Sequence, residues 1–333
     1  MFMENSKSKV DVIIPVFSIK GLRESLSSLG KSDDIVVTLV DDGKNNDFSK
    51  IVEEYKDWIE IKIIRNERNV GQGLARQIGV NSTNNEYVFF LDCGDLVYSP
   101  MTLRKLKKMF NEHPNSTSTD CVQELWDNEE CYQIKLQING QMYRRSFIDK
   151  YEIQFCPDEE ASRKMEDVSW SQITKIVNIS CHYEIISPDE PTIIKIKDDT
   201  SVSQANGREY EYRDFNIGHA KNLIFAFKRA LELKNKNLLP LSLTWLETIS
   251  WEALVSMFCN HQRTLKERPE FTKESLEGAK YYYQNYLINF PVDDKRLKYL
   301  FSKGVREYGE IVKVDIDYYL DDFKEFIEKC KEV

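Results

Sequence analysis

The sequence predicts an α/β protein: a parallel, helix-covered sheet in the first part of the chain, then a mostly α-helical region. Three observations carry this. Short β-branched or aromatic runs alternate with segments of helical spacing through Leu91. A polar cluster follows each run, at Phe17-Ser18, Asp41-Asp42, Asn66 and Asp92. From Phe215 onward the apolar residues recur only at helical spacing. The change of character places a first domain at residues 1–210 and a helical second domain at 211–333.

The elements follow in order. Val10 to Val16 is an apolar strand broken only by Asp11, with Pro15 closing it. Gly21 to Leu29 carries Leu22, Leu26 and Leu29 at helical spacing. Ile35 to Val40 is a β-branched strand running into Asp41-Asp42-Gly43, and Asp47 caps a helix with Ile51, Tyr55 and Trp58 on its apolar side. Ile59 to Ile64 is the third strand, Gly73 to Val80 a helix, and Tyr87 to Leu91 the fourth strand. Short right-handed crossovers of this kind build a parallel sheet, whose ligands bind at the C-terminal ends of the strands. Thr192 to Ile196 is a last strand, and residues 198–207 a polar loop. Beyond it Leu223, Phe227 and Leu231, then Leu246, Ile249, Ala253 and Met257, mark helices punctuated by Pro240, Pro269 and Pro291. Tyr281, Tyr282, Tyr283, Tyr286, Leu287 and Phe290 form an aromatic face, either core or a surface for an acceptor or a second subunit.

Composition narrows the function. Hydrophobic residues make up 41% of the 333 and charged residues 30%, as in ordinary globular proteins. A net charge of −9 opposes non-specific nucleic-acid binding, so a nucleic-acid acceptor is not expected. No stretch approaches the length of a transmembrane helix, and Met1-Phe2-Met3-Glu4-Asn5 lacks a signal-peptide core, which points to the cytoplasm. The seven cysteines are scattered and odd in number without a CxxC pair, as expected of free thiols.

The chemistry-bearing phrase is Asp92-Cys93-Gly94-Asp95 at the end of Tyr87-Val88-Phe89-Phe90. Two carboxylates there are either a solvated acidic turn or hard oxygen ligands for Mg²⁺ or Mn²⁺, an ion that neutralises a diphosphate. A glycine-rich phosphate cradle is absent: Val16-Phe17-Ser18-Ile19-Lys20-Gly21 follows the first strand, and Gly71-Gln72-Gly73 lacks a third glycine. A nucleotide, if bound, needs its diphosphate held in another way, and a metal at Asp92 and Asp95 supplies one.

Six blocks together resemble family 2 glycosyltransferases of the GT-A fold. They are Val12-Ile13-Ile14-Pro15-Val16-Phe17; Leu39-Val40-Asp41-Asp42-Gly43; Asn69-Val70-Gly71 with Ala75-Arg76-Gln77; Phe90 to Asp95; Asn139 to Ile148 with Ile153-Gln154-Phe155; and Met165-Glu166-Asp167-Val168-Ser169-Trp170. The resemblance covers residue 10 to about 205 and implies a Rossmann-like, mixed and mainly parallel sheet with flanking helices. It implies a metal-assisted inverting transfer of a hexose or N-acetylhexosamine from a UDP-sugar to a hydroxyl of a glycan, wall polymer or protein. Three positions depart from the family pattern: Phe17-Ser18 replaces Tyr-Asn, Gln77 replaces Asn, and Cys93-Gly94 interrupts the aspartate motif.

The resemblance also assigns roles. Pro15 and Phe17 line the base, and the Asp41-Asp42 pair, Asp42 foremost, accepts the uracil N3–H. Asn69, Gly71 and Arg76 belong to the nucleotide site, Arg76 toward diphosphate or uridine. Asp92 with Cys93 contacts the donor, Asp92 and Asp95 hold Mn²⁺ or Mg²⁺, and a late histidine, His219, is a further metal candidate. Asp167 is the general base, with Glu166 orienting it. Arg144, Arg145, Arg163 and Lys164 frame the pocket. The C-terminal helices are expected to bind acceptor or join subunits. The competing function is a catalytically silent relative that binds a nucleotide-sugar or acts as a scaffold.

Overall fold

A computed structural model describes residues 9–43, 46–125, 131–134, 138–196, 216–312 and 317–332. The loop expected over 198–207, and Phe215, lie outside them. The chain divides into two compact units, residues 1–198 and 199–333.

In the first unit, β1 (Val10–Val16), α1 (Leu22–Leu29), β2 (Ile35–Asp41), α2 (Ser49–Tyr55), β3 (Glu60–Arg65), α3 (Gln72–Asn81) and β4 (Tyr87–Phe90) alternate as the sequence predicts. There follow β5 (Leu96–Val97), α4 (Thr102–Glu112), β6 (Ser116–Thr119), β7 (Cys121–Leu125), β8 (Cys131–Ile134), β9 (Met142–Arg144), α5 (Arg145–Lys150), α6 (Glu159–Arg163), α7 (Asp167–Cys181), β10 (Glu184–Ile186) and β11 (Ile193–Lys195). Seven strands form one sheet in the order β10-β6-β9-β4-β1-β2-β3. β4, β1, β2 and β3 run parallel, and β9 lies antiparallel between β4 and β6. The sheet is thus mixed and mainly parallel, as expected of a GT-A fold.

Every residue of β1, β2 and β4 is buried, because helices cover both faces. β3 is an edge strand whose Glu60 and Lys62 keep its rim charged. Pro15 does not end β1, which runs on to Val16. Pairing with β4 stops at Ile13↔Phe90, so the proline, which has no N–H to give, lies past the end of that ladder. Trp58 is not on the apolar side of α2; it follows the helix and is 45% exposed.

The expected last strand, β11, belongs to a second sheet of order β5-β11-β7-β8. It pairs antiparallel with β5, the strand that directly follows the aspartate motif. α3 lies close against the main sheet: a Cβ on Gly79 would fall 2.5 Å from Ile13 Cγ2 and 3.3 Å from Val40 Cγ2. The register Ile14↔Leu39 and Leu39↔Ile63 brings the C-terminal ends of β1, β2 and β3 to one edge, beside the end of β4.

The second unit has five α-helices among its described residues: α8 (Ile217–Asn235), α9 (Leu243–Glu267), α10 (Thr272–Asn285), α11 (Asp294–Val312) and α12 (Leu320–Lys331). Pro269 opens a 3₁₀ turn between α9 and α10, where its missing N–H is no loss. Most of the aromatic face is core: Tyr282, Tyr283, Tyr286 and Leu287 are buried, and the Tyr282 hydroxyl donates to the Ser250 carbonyl at 2.9 Å. Phe258 on α9 packs against Phe301, Phe323 and Phe326 from α11 and α12. No described helix is long and apolar enough to cross a membrane.

Candidate functional site

At the end of β2, the buried Asp41 accepts the backbone N–H and side-chain amide of Asn46 at 2.9 and 2.8 Å and Arg65 Nη1 at 2.7 Å. Asp42 turns the other way. Its Oδ1 accepts Asn66 Nδ2 at 3.1 Å and the Val70 N–H at 2.8 Å, and its Oδ2 accepts the Gly71 N–H at 3.1 Å. Asp42 therefore ties the 66–71 loop to the sheet. Any contact with a uracil N3–H would use the lone-pair capacity these three bonds leave. Beside the pair, Phe17 exposes its ring (51%) while Pro15 is buried.

Gly71 turns the loop into α3 with φ +90°, and a Cβ there would meet Ser162 O and Oγ at 2.8 Å. The loop is fastened to α6 as well. Ser162 Oγ accepts the Leu74 N–H at 2.7 Å, Arg163 donates to the Asn69 carbonyl, and Arg68 pairs with Glu159. Asp158 caps α6 by accepting from the N–H groups of Glu160 and Ala161.

Arg76 sits at the centre. Its side chain is 3% exposed, and it donates from Nη2 to Asp92 Oδ1 at 2.5 Å and from Nη1 to Glu166 Oε1 at 2.6 Å. Burial works against its charge, but Asp92 and Glu166 together hold the guanidinium well above its ordinary pKa. The structure thus places Arg76 between two carboxylates, and gives Glu166 an ion pair as well as a place next to Asp167. A Cβ on Gly73 would meet Glu166 Cβ at 2.7 Å, so the small residue lets α3 approach the head of α7.

Asp167 opens α7 with Glu166 at its N-cap. Burial first, then the charge of Glu166, pushes its carboxyl up to about 7 against the opposing pull of Arg76. None of the ion pairs among the described residues involves it. One turn on, Trp170 is fully buried and stacks on Phe155 with ring centroids 4.8 Å apart, edge-on to Phe90 of β4 at 5.3 Å. That aromatic cluster fixes the head of α7 against the sheet.

The aspartate motif is a tight turn in which the Asp95 N–H donates to the Asp92 carbonyl at 3.1 Å. Gly94 holds φ +103°, and its N–H donates to Ser25 Oγ at 2.9 Å. The two carboxylates differ. Asp92 is 27% exposed; its Oδ1 also accepts Gln72 Nε2 at 2.9 Å, and its Oδ2 carries no hydrogen bond among the described residues. Asp95 is buried, with Oδ2 taken by Asn139 Nδ2 at 2.7 Å and Oδ1 by the Ile196 N–H at 3.3 Å. Burial, aided by Asp92, raises the Asp95 carboxyl to about 6. A carboxylate oxygen without a protein donor, on a partly exposed side chain, fits a divalent ion of the Mg²⁺ class, which commonly takes one protein carboxylate and completes its shell with substrate phosphates and water. Cys93 donates its thiol to the Ser18 carbonyl at 3.4 Å, and burial pushes its pKa up to about 12.

His219 is in the first turn of α8 in the second unit, and burial lowers its imidazole to about 3, so it is neutral at ordinary pH. Arg144 and Arg145 stand at the opposite edge of the sheet, since Tyr87 at the start of β4 pairs with Arg144. Arg144 donates to the Phe110 and Ser116 carbonyls, and Arg145 to the Val80 carbonyl and Thr83 Oγ1, with Asp11 beside it at 3.5 Å. They hold the fold instead of framing the pocket. Three residues that sequence reasoning left without a role belong to the site: Gln72, Asn139 and Ser162.

Comparison with known proteins gives a family match and a likeness of fold. The model of the family described as glycosyl transferase family 2 matches residues 11–169. Poly(ribitol-phosphate) beta-N-acetylglucosaminyltransferase TarS of Staphylococcus aureus (strain Mu50) is 32% identical over 111 residues, 32% of this chain and 19% of TarS. The corresponding TarP of S. aureus (strain N315) is 24% identical over 237 residues, 61% of this chain and 68% of TarP. In three dimensions, S. aureus TarS 1-349 in complex with UDP-GlcNAc aligns over 96% of this chain and 90% of that one, with TM-score 0.60 and 17% identity. The last likeness is one of fold.

Proposed function

We propose that this chain, which carries a glycosyl transferase family 2 domain in residues 11–169, transfers a sugar from a UDP-sugar to an acceptor hydroxyl with inversion. The observation that carries the reading is Arg76, whose two ion pairs bring the strand-end Asp92 and the acidic head of α7 to one place. On one side of it lie the groups suited to a nucleotide diphosphate, and on the other a carboxyl suited to a base.

Uridine would lie against Phe17 with its N3–H toward the Asp41-Asp42 pair, and the 66–71 loop held by Asp42 would border the ribose and phosphates. A divalent ion at Asp92 would neutralise charge on the leaving diphosphate when bound. Asp167 takes the proton of the acceptor hydroxyl as that oxygen forms its bond to the anomeric carbon. The bond from the anomeric carbon to the phosphate oxygen breaks, and its electron pair leaves with UDP. A base raised to about 7 is matched to this work, because it is ionised near neutral pH and still basic enough to accept a proton. Arg76 keeps Glu166 paired and Asp92 turned inward, and so holds both halves of the site in register. The TarS complex with UDP-GlcNAc makes that sugar nucleotide the first donor to try, and the poly(ribitol-phosphate) transferases TarS and TarP make a polyol-phosphate polymer the first acceptor.

The test incubates the protein with UDP-GlcNAc, UDP-GalNAc, UDP-glucose or UDP-galactose, with Mn²⁺ or EDTA, and with or without poly(ribitol phosphate), reading released UDP. Metal-dependent release from one donor, increased by acceptor, is the expected result. UDP binding without turnover of any donor would instead favour a silent binding module, and neither binding nor turnover would sink both readings.

A further inference from the structure

We propose that Asn139 is the positioning residue of the donor site and that Asp95 serves it as a buried clamp, not as a metal ligand. The inference rests on the donor-binding reading above and deepens it. Asn139 is completely buried and stands at the junction of the two aspartates. Its Oδ1 accepts the Asp92 N–H at 2.9 Å, and its Nδ2 donates to Asp95 Oδ2 at 2.7 Å. A backbone N–H can only donate, so the amide has one orientation that satisfies both contacts. Neither leucine nor aspartate offers an acceptor on one side and a donor on the other.

The residue is itself held rigidly. Gly140 takes φ +81°, and its N–H donates to the Phe90 carbonyl at 2.8 Å, hooking the turn to the last residue of β4. A Cβ at Gly140 would lie 2.9 Å from Cys121 Sγ and 2.9 Å from Ile193 Cγ2, so the turn is pressed between β7 and β11. Asp95 closes the arrangement from the far side, its Oδ1 accepting the Ile196 N–H just beyond β11. Both Asp95 oxygens are engaged by protein donors on a buried side chain, whereas Oδ2 of the partly exposed Asp92 has no protein donor among the described residues. The clamp fixes the backbone at Asp92, and that backbone directs the Asp92 carboxylate to Gln72 and Arg76.

Exchange of donor and acceptor across this contact tests the idea. Asn139→Asp sets two carboxylates against each other and removes the Nδ2 donor. Asp95→Asn combined with it restores every bond with the roles reversed: the amide at 95 donates across the contact and accepts from Ile196, while the carboxylate at 139 still accepts from Asp92. UDP affinity in Mn²⁺ is measured by calorimetry for the full chain, and donor and acceptor KM are measured beside it. Asn139→Asp is expected to weaken UDP binding by about tenfold or more, the usual scale for a supporting contact behind a ligand, and to raise donor KM while sparing acceptor KM. The double variant is expected to return UDP affinity to within about threefold of wild type, which it cannot do if Asp95 is a required metal ligand. Wild-type affinity in Asn139→Asp, or a double variant that binds no better than the single or does not fold, overturns the proposal. Absence of UDP binding by the wild-type protein overturns the donor-site reading and this inference with it, so the two failures are distinct.

Discussion

A carboxylate recruited as a base must be ionised when the acceptor arrives, and at the scale of single residues that sets a pH dependence. Asp167 is raised to about 7 by burial and by Glu166, so below that pH most of it is protonated and idle. Transfer at subsaturating substrate should rise about tenfold per pH unit below 7 and level off above it, and Asp167→Asn should lack the limb altogether. Its rate should fall by about 10²–10⁴-fold while UDP affinity persists, because the nucleotide contacts lie on other residues. The same shift has a consequence for stability. A carboxyl with a higher pKa in the folded than in the unfolded chain favours folding while protonated, and that contribution fades as pH climbs from the ordinary aspartate range toward 7. Denaturant midpoints at pH 5 and 8 should therefore draw closer together in Asp167→Asn than in wild type. An unchanged gap would mean that Asp167 does not titrate in this range.

Among the elements, α3 links the sheet to the site, because it carries Gln72, Arg76 and the small residues that let it sit close. Gly79→Ala would place a methyl 2.5 Å from Ile13 Cγ2, against a β-branched side chain in a fully buried strand. Overpacking there should cost about 1–3 kcal/mol in chemical denaturation, more than the helix-propensity gain of alanine over glycine returns. A neutral or stabilising result would show that α3 has room to shift. Sequence periodicity made the alternation of β1 to β4 legible, and with it the edge where Asp42, Asn66 and Asp92 gather, because a strand buried on both faces must be a run of apolar residues. It did not reveal β9, three residues long and antiparallel between β4 and β6, since so short a strand has no period. β11 was recognisable as a strand, but its β-branched residues do not say which sheet takes them. Asp92 stands out as a carboxylate at a strand end, and Asp167 through the family resemblance of its block. Asn139 carries no such mark: its role comes from bonds to residues 47 and 44 positions away, which only the folded chain brings together.

At the scale of the whole molecule, each unit has its own core, and the donor site as described is built from the first unit alone. Its residues extend from Phe17 to Asp167 and belong to α3 and to loops and element ends around β1, β2, β3 and β4. A ligand that binds only the folded protein adds stability by mass action, about 2.7 kcal/mol at a concentration one hundred times Kd. For a folding unit of about 200 residues each kcal/mol moves Tm by roughly 2–4 °C, so UDP with Mn²⁺ should raise the transition containing the first unit by about 5–10 °C. EDTA should remove most of the shift if an ion at Asp92 joins protein to diphosphate, and Asp92→Ala should abolish it even with Mn²⁺ present. CDP at the same concentration should give a smaller shift, since its unprotonated N3 has no hydrogen to offer the Asp41-Asp42 pair. Equal shifts from UDP and CDP would remove the base contact from those aspartates, and a full shift in EDTA would leave Arg76 and the 66–71 loop as the sole holders of the phosphates.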